Sequence, residues 1–132
     1  MSKTVGIIGL GLLGGSLAKA LKAYTDDVVG YARRQEVCDA ALQDGVVSQA
    51  WTEVEPLVEN SDIVVFSLPP DTNARLFTEV AYLFKPGQVV TDVSSAKEHF
   101  VRAVYESIPK GTFFVSVFFS SAASFVSFFV IF

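Results

Sequence analysis

The sequence has 132 residues, enough for one domain with its own hydrophobic core, and a formal net charge of −4. The acidic balance argues against nucleic acid or an anionic membrane surface as a partner, because both favour a basic protein face. One cysteine and one histidine exclude an internal disulfide and a zinc site of the Cys/His kind. We therefore expect a protein of the reducing cytoplasm with no metal site.

Short apolar runs, most of them closed by glycine, proline or serine, recur through the first 117 residues. Runs of this length and composition are typical of strands buried on both faces of a parallel sheet. They predict strands at residues 4–10, 27–31, 62–68, 88–93 and 112–117, with a short further strand at 46–47.

Between these runs the apolar residues recur at helical spacing. Gly45 is placed to end the second helix. Thr52 and Glu55 have capping-box spacing for the third helix, and Asp71 or Thr72 can cap the fourth. The predicted core faces are Leu13, Leu17, Ala20 and Leu21 in the first helix, Leu76, Val80, Leu83 and Phe84 in the fourth, and Phe100, Ala103, Val104 and Ile108 in the fifth.

Strands that alternate with helices over short links predict an α/β fold built on a doubly wound parallel sheet. The pattern G-x-G-x-x-G follows the first predicted strand and opens the first predicted helix, which is its context in NAD(P)-binding Rossmann domains. The first glycine permits the turn, the second admits the pyrophosphate, and the third allows close packing, while the helix N-terminus favours the anion. The predicted cofactor-binding residues of this turn are Gly9, Leu10, Gly11, Leu12, Leu13 and Gly14.

The residues at the end of the second predicted strand indicate whether the site binds NAD or NADP. NAD sites place a carboxylate there to accept hydrogen bonds from the ribose 2′-hydroxyl. This sequence has Ala32 at that point, followed by Arg33 and Arg34, and two guanidiniums without a carboxylate favour a 2′-phosphate. We therefore predict NADP as the cofactor, with NAD as the alternative if both arginines merely begin a solvated helix.

Two loops follow strands at the edge of the sheet where such folds bind ligands. Ser67, Leu68 and Pro69 are expected to pass near the ribose and nicotinamide. Ser94 in the loop after the fifth strand is a further predicted cofactor contact, although serines at helix starts also serve as caps. His99 lies off the apolar stripe of its helix and is expected to be solvated, whereas Cys38 is expected to pack.

The last part of the sequence differs in composition from the rest. Residues 111–132 contain no charged residue, and eight of the twelve phenylalanines lie between Phe113 and Phe132. We expect a dinucleotide-binding domain over residues 1–117, an atypical tail over 118–132 and no second domain. A truncation or frame change, a substituted segment and a membrane anchor are three readings of the tail. The five serines of residues 111–132 count against the anchor.

Several segments together resemble the prephenate and arogenate dehydrogenases over residues 4–117. The glycine turn continues as Gly-Gly-Ser-Leu at residues 14–17, which is more specific than the glycine pattern alone. Asp-Ile-Val at 62–64 with Pro69, and Asp-Val-Ser-Ser-Ala-Lys at 92–97, are similar to later loops of that family.

This resemblance implies hydride transfer from the hydroxyl-bearing ring carbon of prephenate or arogenate to a nicotinamide, with loss of the ring carboxylate. Ser95 matches a loop serine that orients the substrate hydroxyl and a catalytic histidine. The family pattern then calls for His-Pro-Met-Ala-Gly, where this sequence has Phe118-Phe-Ser-Ser-Ala. Phenylalanine cannot transfer a proton, so we expect a dehydrogenase cofactor domain with negligible turnover. A non-catalytic dinucleotide-binding module and another small Rossmann reductase are the alternatives, and the choice of substrate and the oligomeric state stay open.

Overall fold

A computed structural model describes residues 3–93, 98–119 and 126–131. Its strands are β1 (Val5–Ile8), β2 (Val28–Tyr31), β3 (Gln49–Trp51), β4 (Ile63–Phe66), β5 (Val89–Asp92), β6 (Phe113–Phe119) and β7 (Val126–Ile131). Its helices are α1 (Leu12–Leu21), α2 (Gln35–Gln43), α3 (Val54–Asn60), α4 (Pro70–Val80) and α5 (Glu98–Ser107), with a 3₁₀ turn at Ala81–Leu83 after α4.

The described strands form one sheet in the order β3-β2-β1-β4-β5-β6-β7. The first six run parallel, and β7 pairs antiparallel with β6. The order reverses between β1 and β4, so the chain winds outward from these strands in both directions. This is the predicted doubly wound parallel sheet, and ligands of such sheets bind beside the reversal, at the carboxyl ends of the strands.

Apolar side chains cover both faces of the sheet. On one face, residues of the central strands form a cluster with the buried sides of α3, α4 and α5, and Phe100 of α5 lies 5.2 Å from Phe66 and 5.7 Å from Phe77 between ring centroids. On the other face, Ile7 and Val65 pack with Ala18 of α1 and with α2. The predicted core face of α5 is confirmed, since Phe100, Ala103 and Val104 are buried and Ile108 packs against them.

The third strand lies three residues later than predicted. Val46 and Val47 are buried, but the Val46 N–H donates to the Ala41 carbonyl, 2.9 Å away, and so closes the turn after α2. Gly45 adopts a φ of +68° in this turn and ends α2 as predicted. The two valines therefore pack as a buried loop, and the prediction of a strand at 46–47 was wrong because burial alone does not distinguish the two.

Two helices begin differently from the prediction. The residue that precedes α3 is Glu53, without a side-chain cap bond among the described residues, so the capping box from Thr52 to Glu55 is not formed. Helix α4 begins at Pro70, ahead of the predicted caps Asp71 and Thr72. Proline suits the first helical position, because its fixed φ is already helical and its missing N–H would have no partner there.

The buried faces of α1 and α4 are also partly different from the prediction. In α1 the buried residues are Gly14 and Ala18, while Leu13 keeps 55% of its surface exposed. In α4, Val80 is buried as predicted, but the positions that point fully inward include Asn73 and Phe77. In both helices, tertiary contacts decide which side faces the core. Gly14 of α1 packs against the end of β1, and Asn73 of α4 directs its amide toward the loop before the helix.

Strand β6 extends to Phe119, two residues past the predicted end, and β7 lies within the segment predicted as an atypical tail. No helix in the described ranges is long and apolar enough to cross a membrane. The boundary at residue 117 and the role of residues 118–132 remain predictions.

Candidate dinucleotide-binding site

The glycine turn lies directly at the carboxyl end of β1. Gly9 adopts a φ of +106°, and its N–H donates to the Tyr31 carbonyl of β2 at 2.9 Å. A Cβ on Gly9 would lie 2.8 Å from Cδ2 of Leu68. A side chain at this position would therefore meet both an unfavourable backbone conformation and the neighbouring loop.

Gly11 and Gly14 serve different purposes. A Cβ on Gly14 would lie 1.8 Å from the Gly9 carbonyl oxygen, so only glycine lets α1 approach β1 this closely. Among the described residues, a Cβ on Gly11 would meet no atom within 4 Å, and the φ of −71° at Gly11 suits any residue. The space in front of Gly11 is therefore open, which is what the close approach of a pyrophosphate to the backbone requires.

The N-terminus of α1 is free to bind an anion. Its first backbone hydrogen bond runs from the Gly15 N–H to the Gly11 carbonyl at 2.7 Å, so the amides of Leu12 and Leu13 have no partner within the helix. Within the described residues, no side chain caps this end and the first turn contains no acidic residue. The unpaired N–H groups and the helix dipole together favour a phosphate here.

A cleft of about 530 Å³ extends from the glycine turn along the end of β2. Ala32 is buried, and its N–H donates to the Trp51 carbonyl at 3.1 Å. Arg33 and Arg34 are exposed at the start of α2, and in the described part of the chain neither forms an ion pair. The cleft is lined by Gly9, Leu10, Gly11, Ala32, Arg33, Arg34, Val37 and Leu68.

The loop after β4 also borders this cleft, through Leu68. The Ser67 hydroxyl lies 2.7 Å from the Gly9 carbonyl oxygen and 3.0 Å from that of Ile8, so its proton is used within the scaffold. Leu68 lines the cleft, and Pro69 precedes α4. The structure thus brings Ser67 and Leu68 to the glycine turn, whereas Pro69 does not line this cleft.

Asn73 is a residue of this site that the sequence analysis missed. It is fully buried in α4, and its side chain forms hydrogen bonds with both backbone groups of Leu68. The available signal was a polar side chain at helical spacing from Phe77 and Val80, that is, an amide on a buried face.

The loop after β5 holds the remaining predicted residues. Ser94 and Ser95 lie outside the described residues, so their positions stay predictions. The strand that precedes them ends at the same edge of the sheet, because Asp92 pairs in register with Phe66 and the Val93 N–H donates to the Phe66 carbonyl at 3.1 Å.

His99 and Cys38 occupy the environments expected from the sequence, with one addition. His99 has an exposed side chain, and its Nδ1 lies 2.8 Å from Oδ1 of Asp71, which links the first turns of α5 and α4. Cys38 is fully buried and its Sγ lies 3.4 Å from the Trp51 carbonyl oxygen, so its packing role is confirmed.

A doubly wound sheet with an uncapped glycine turn at its strand reversal defines a dinucleotide-binding domain of the Rossmann class. The chain belongs to the family of prephenate dehydrogenase nucleotide-binding domains, whose family model matches residues 17–118. The enzymes of this family are NAD(P)-dependent dehydrogenases.

Individual relatives agree with this assignment. The chain is 28% identical over 109 residues to the cyclohexadienyl dehydrogenase of Zymomonas mobilis, covering 81% of this chain and 37% of that protein. The solved prephenate dehydrogenase of A. aeolicus, in complex with hydroxyphenyl propionate and NAD+, is 26% identical with a TM-score of 0.75, over 88% of this chain and 42% of that one. Synechocystis arogenate dehydrogenase gives 25% identity and a TM-score of 0.76, over 91% and 42%. The chain therefore spans less than half the length of these relatives.

Proposed function

We propose that this chain binds NADP(H) in preference to NAD(H), as the cofactor-binding part of a prephenate or arogenate dehydrogenase. The observation that carries the preference is the end of β2, where Ala32 stands in place of a carboxylate. Arg33 and Arg34, which form no ion pair among the described residues, border the cleft there. A bound nicotinamide supplies the hydride acceptor, and the residues of this chain bind and orient the dinucleotide.

The pyrophosphate binds at the open N-terminus of α1. The amides of Leu12 and Leu13 donate to its oxygens, and the open space before Gly11 admits it to the backbone. Gly9 and Gly14 keep the turn and the helix in place without contributing a side chain. Leu10, buried beneath the turn, forms the floor of the cleft.

The 2′-phosphate lies between Arg33 and Arg34. Guanidinium groups bind phosphate through paired, charge-assisted hydrogen bonds, and the residue directly after β2 is Ala32, not a carboxylate that would repel it. NADH lacks this phosphate and cannot form these hydrogen bonds, so the protein distinguishes the two cofactors at the adenosine end of the cleft.

The loops after β4 and β5 complete the site. Leu68 contacts the bound cofactor, and Ser67 and Pro69 shape the loop that presents it. Ser94 contacts the cofactor from the loop after β5, and Ser95 orients the substrate hydroxyl. Both serines are assigned through their position after Asp92 and through the family's loop pattern.

Titration of the purified chain with NADPH and, separately, NADH tests the proposal, with the fluorescence of the single tryptophan, Trp51, as the signal. The wild type is expected to bind NADPH at least tenfold more tightly. Replacing both Arg33 and Arg34 with alanine should remove this preference without changing the NADH Kd by more than about twofold, because the lost bonds involve only the 2′-phosphate.

Two further variants sharpen the comparison. Arg102 is an exposed arginine of α5 that does not line the cleft, so Arg102→Ala should leave both Kd values unchanged. Ala32→Asp should reverse the preference toward NADH, because a carboxylate repels the 2′-phosphate and accepts from the ribose hydroxyl. Equal affinity of the wild type for both cofactors would contradict the proposed selectivity.

A non-catalytic dinucleotide-binding module is the second candidate function. The observation that favours it is Phe118, at the position where the family pattern has a histidine and where this chain continues β6. A phenyl ring cannot accept the hydroxyl proton, so cofactor binding without turnover is the expected behaviour of this chain.

A further inference from the structure

We infer that Asn73 is a positioning residue for the cofactor cleft and acts through Leu68. The inference rests on the proposed function, because it assigns the residue that holds one wall of that site. Asn73 is fully buried, and a buried amide is costly unless its donors and acceptor are satisfied. Its bonding partners therefore indicate why an amide occupies this position.

Both ends of the Asn73 side chain bond to a single residue. Oδ1 accepts from the Leu68 N–H at 3.0 Å, and Nδ2 donates to the Leu68 carbonyl at 2.8 Å. Only an amide side chain supplies one acceptor and one donor side by side, which matches the two backbone groups of a residue. Leu68 lies beyond the end of β4, and Asn73 supplies the two backbone hydrogen bonds that a neighbouring strand would otherwise provide.

Leu68 carries the effect to the ligand. It lines the cleft together with Ala32, Arg33 and Arg34, and its Cδ2 would lie 2.8 Å from a Cβ on Gly9. On the neighbouring residue, the Ser67 hydroxyl bonds to the Gly9 carbonyl at 2.7 Å. Leu68 is therefore held between the glycine turn and α4, and a displacement of its backbone would change the wall facing the adenosine.

The helix itself does not need this side chain. The Asn73 backbone N–H donates to the Pro69 carbonyl at 2.9 Å, and α4 begins with Pro70 at its first position. An apolar residue here would extend the stripe that Phe77 and Val80 form toward the core. The amide is thus explained by the loop that it holds.

Gln88 provides a matched control at the other edge of the sheet. Its amide also bonds to backbone groups: Nε2 donates to the Val58 and Ser61 carbonyls at 2.7 and 2.8 Å, and Oε1 accepts from the Lys85 N–H at 2.7 Å. Gln88 immediately precedes β5, so it lies at the amino ends of the strands. Removing it costs a similar set of bonds away from the cleft.

The experiment measures the Kd of Asn73→Ala and Gln88→Ala for NADPH and for adenosine 2′,5′-bisphosphate, together with their thermal midpoints. Asn73→Ala is expected to weaken both ligands about five- to tenfold, the equivalent of one net hydrogen bond. Gln88→Ala should lower the midpoint but leave both Kd values within about twofold of wild type. A merely structural role for Asn73 predicts the same unchanged affinities for both variants and would overturn the inference.

A double-mutant cycle tests whether Asn73 acts through Leu68. In a Leu68→Ala background, Asn73→Ala should weaken NADPH less than about twofold, because the contacting side chain is already gone. Full additivity of the two effects would contradict the proposed route.

Asn73→Asp, an isostere that keeps only the acceptor, replaces the alanine variant in this test if that variant does not fold. It should weaken NADPH at least about fivefold, and Gln88→Glu, which adds the same charge away from the cleft, should not.

Two outcomes distinguish failure of the positioning role from failure of the proposed function. If the wild type binds both ligands and Asn73→Ala binds equally well, the positioning role is wrong and the proposed function stands. If the wild type binds none of the three ligands, NADPH, NADH and the bisphosphate, the proposed function is wrong, and the inference is wrong with it.

Discussion

Three glycines in one turn meet three different constraints. Gly9 has a positive φ, Gly14 lies where a backbone carbonyl leaves no room for a methyl group, and Gly11 faces open space. The first two constraints arise within the protein. The third has no counterpart among the described protein atoms, and the proposed function assigns it to the pyrophosphate.

This difference predicts opposite behaviour of two alanine variants. Gly14→Ala should lower the free energy of unfolding by about 1–3 kcal/mol, because the new methyl group overlaps the Gly9 carbonyl. Gly11→Ala should cost less than about 1 kcal/mol, as expected for a change at an uncrowded N-cap, yet weaken NADPH at least tenfold. Urea unfolding and fluorescence titration of both variants measure the two effects. A Gly11→Ala protein that binds NADPH normally would place the pyrophosphate elsewhere.

At the scale of elements, the contact between α4 and α5 depends on aromatic rings. Phe100 of α5 has no exposed surface, and its ring centroid lies within 5.8 Å of those of Phe66, Phe77 and Phe114. These rings fix both helices over the strands whose ends form the site. The loops that follow β4 and β5 therefore depend on this cluster for their starting positions.

Removal of the central ring tests this dependence. Phe100→Ala should lower the free energy of unfolding by about 3–5 kcal/mol, since it deletes a large buried side chain and leaves a cavity. Tyr105 lies on the same helix with 71% of its surface exposed, so Tyr105→Ala should change stability by less than about 0.5 kcal/mol. Chemical denaturation of the two variants provides the comparison. Equal effects would show that α5 is not anchored by its predicted core face.

For the whole molecule, cofactor binding and catalysis are expected to separate. NADPH at 100 times its Kd should stabilise the chain by about 2.7 kcal/mol, because it binds only the folded state. Steady-state assays with NADP and either prephenate or arogenate should show no turnover, since Phe118 cannot accept a proton. Thermal melts and absorbance at the nicotinamide band measure the two properties on one sample. Ordinary turnover would mean that another group performs the proton transfer.

Much of the fold was predictable because its signals are local. The alternation of apolar runs and helical stripes predicts the parallel sheet, and the buried face of α5 follows from its period alone. The glycine turn was predictable for the same reason, since its context is one strand and one helix. Once the end of β2 was located in the sequence, it followed that Ala32 occupies the position where NAD sites have a carboxylate.

The sequence by itself therefore determined the class of fold, the glycine turn and the identity of the residues at its rim. Tertiary structure decided that residues 49–51 and not 46–47 pair as β3, which side of α1 is buried, and that Asn73 holds Leu68. It also placed Ser67 on the Gly9 carbonyl, 58 residues away in sequence. Periodicity and turn chemistry are properties of neighbouring residues, whereas these contacts depend on where separate elements pack, and a hydrogen bond between distant segments leaves no local pattern.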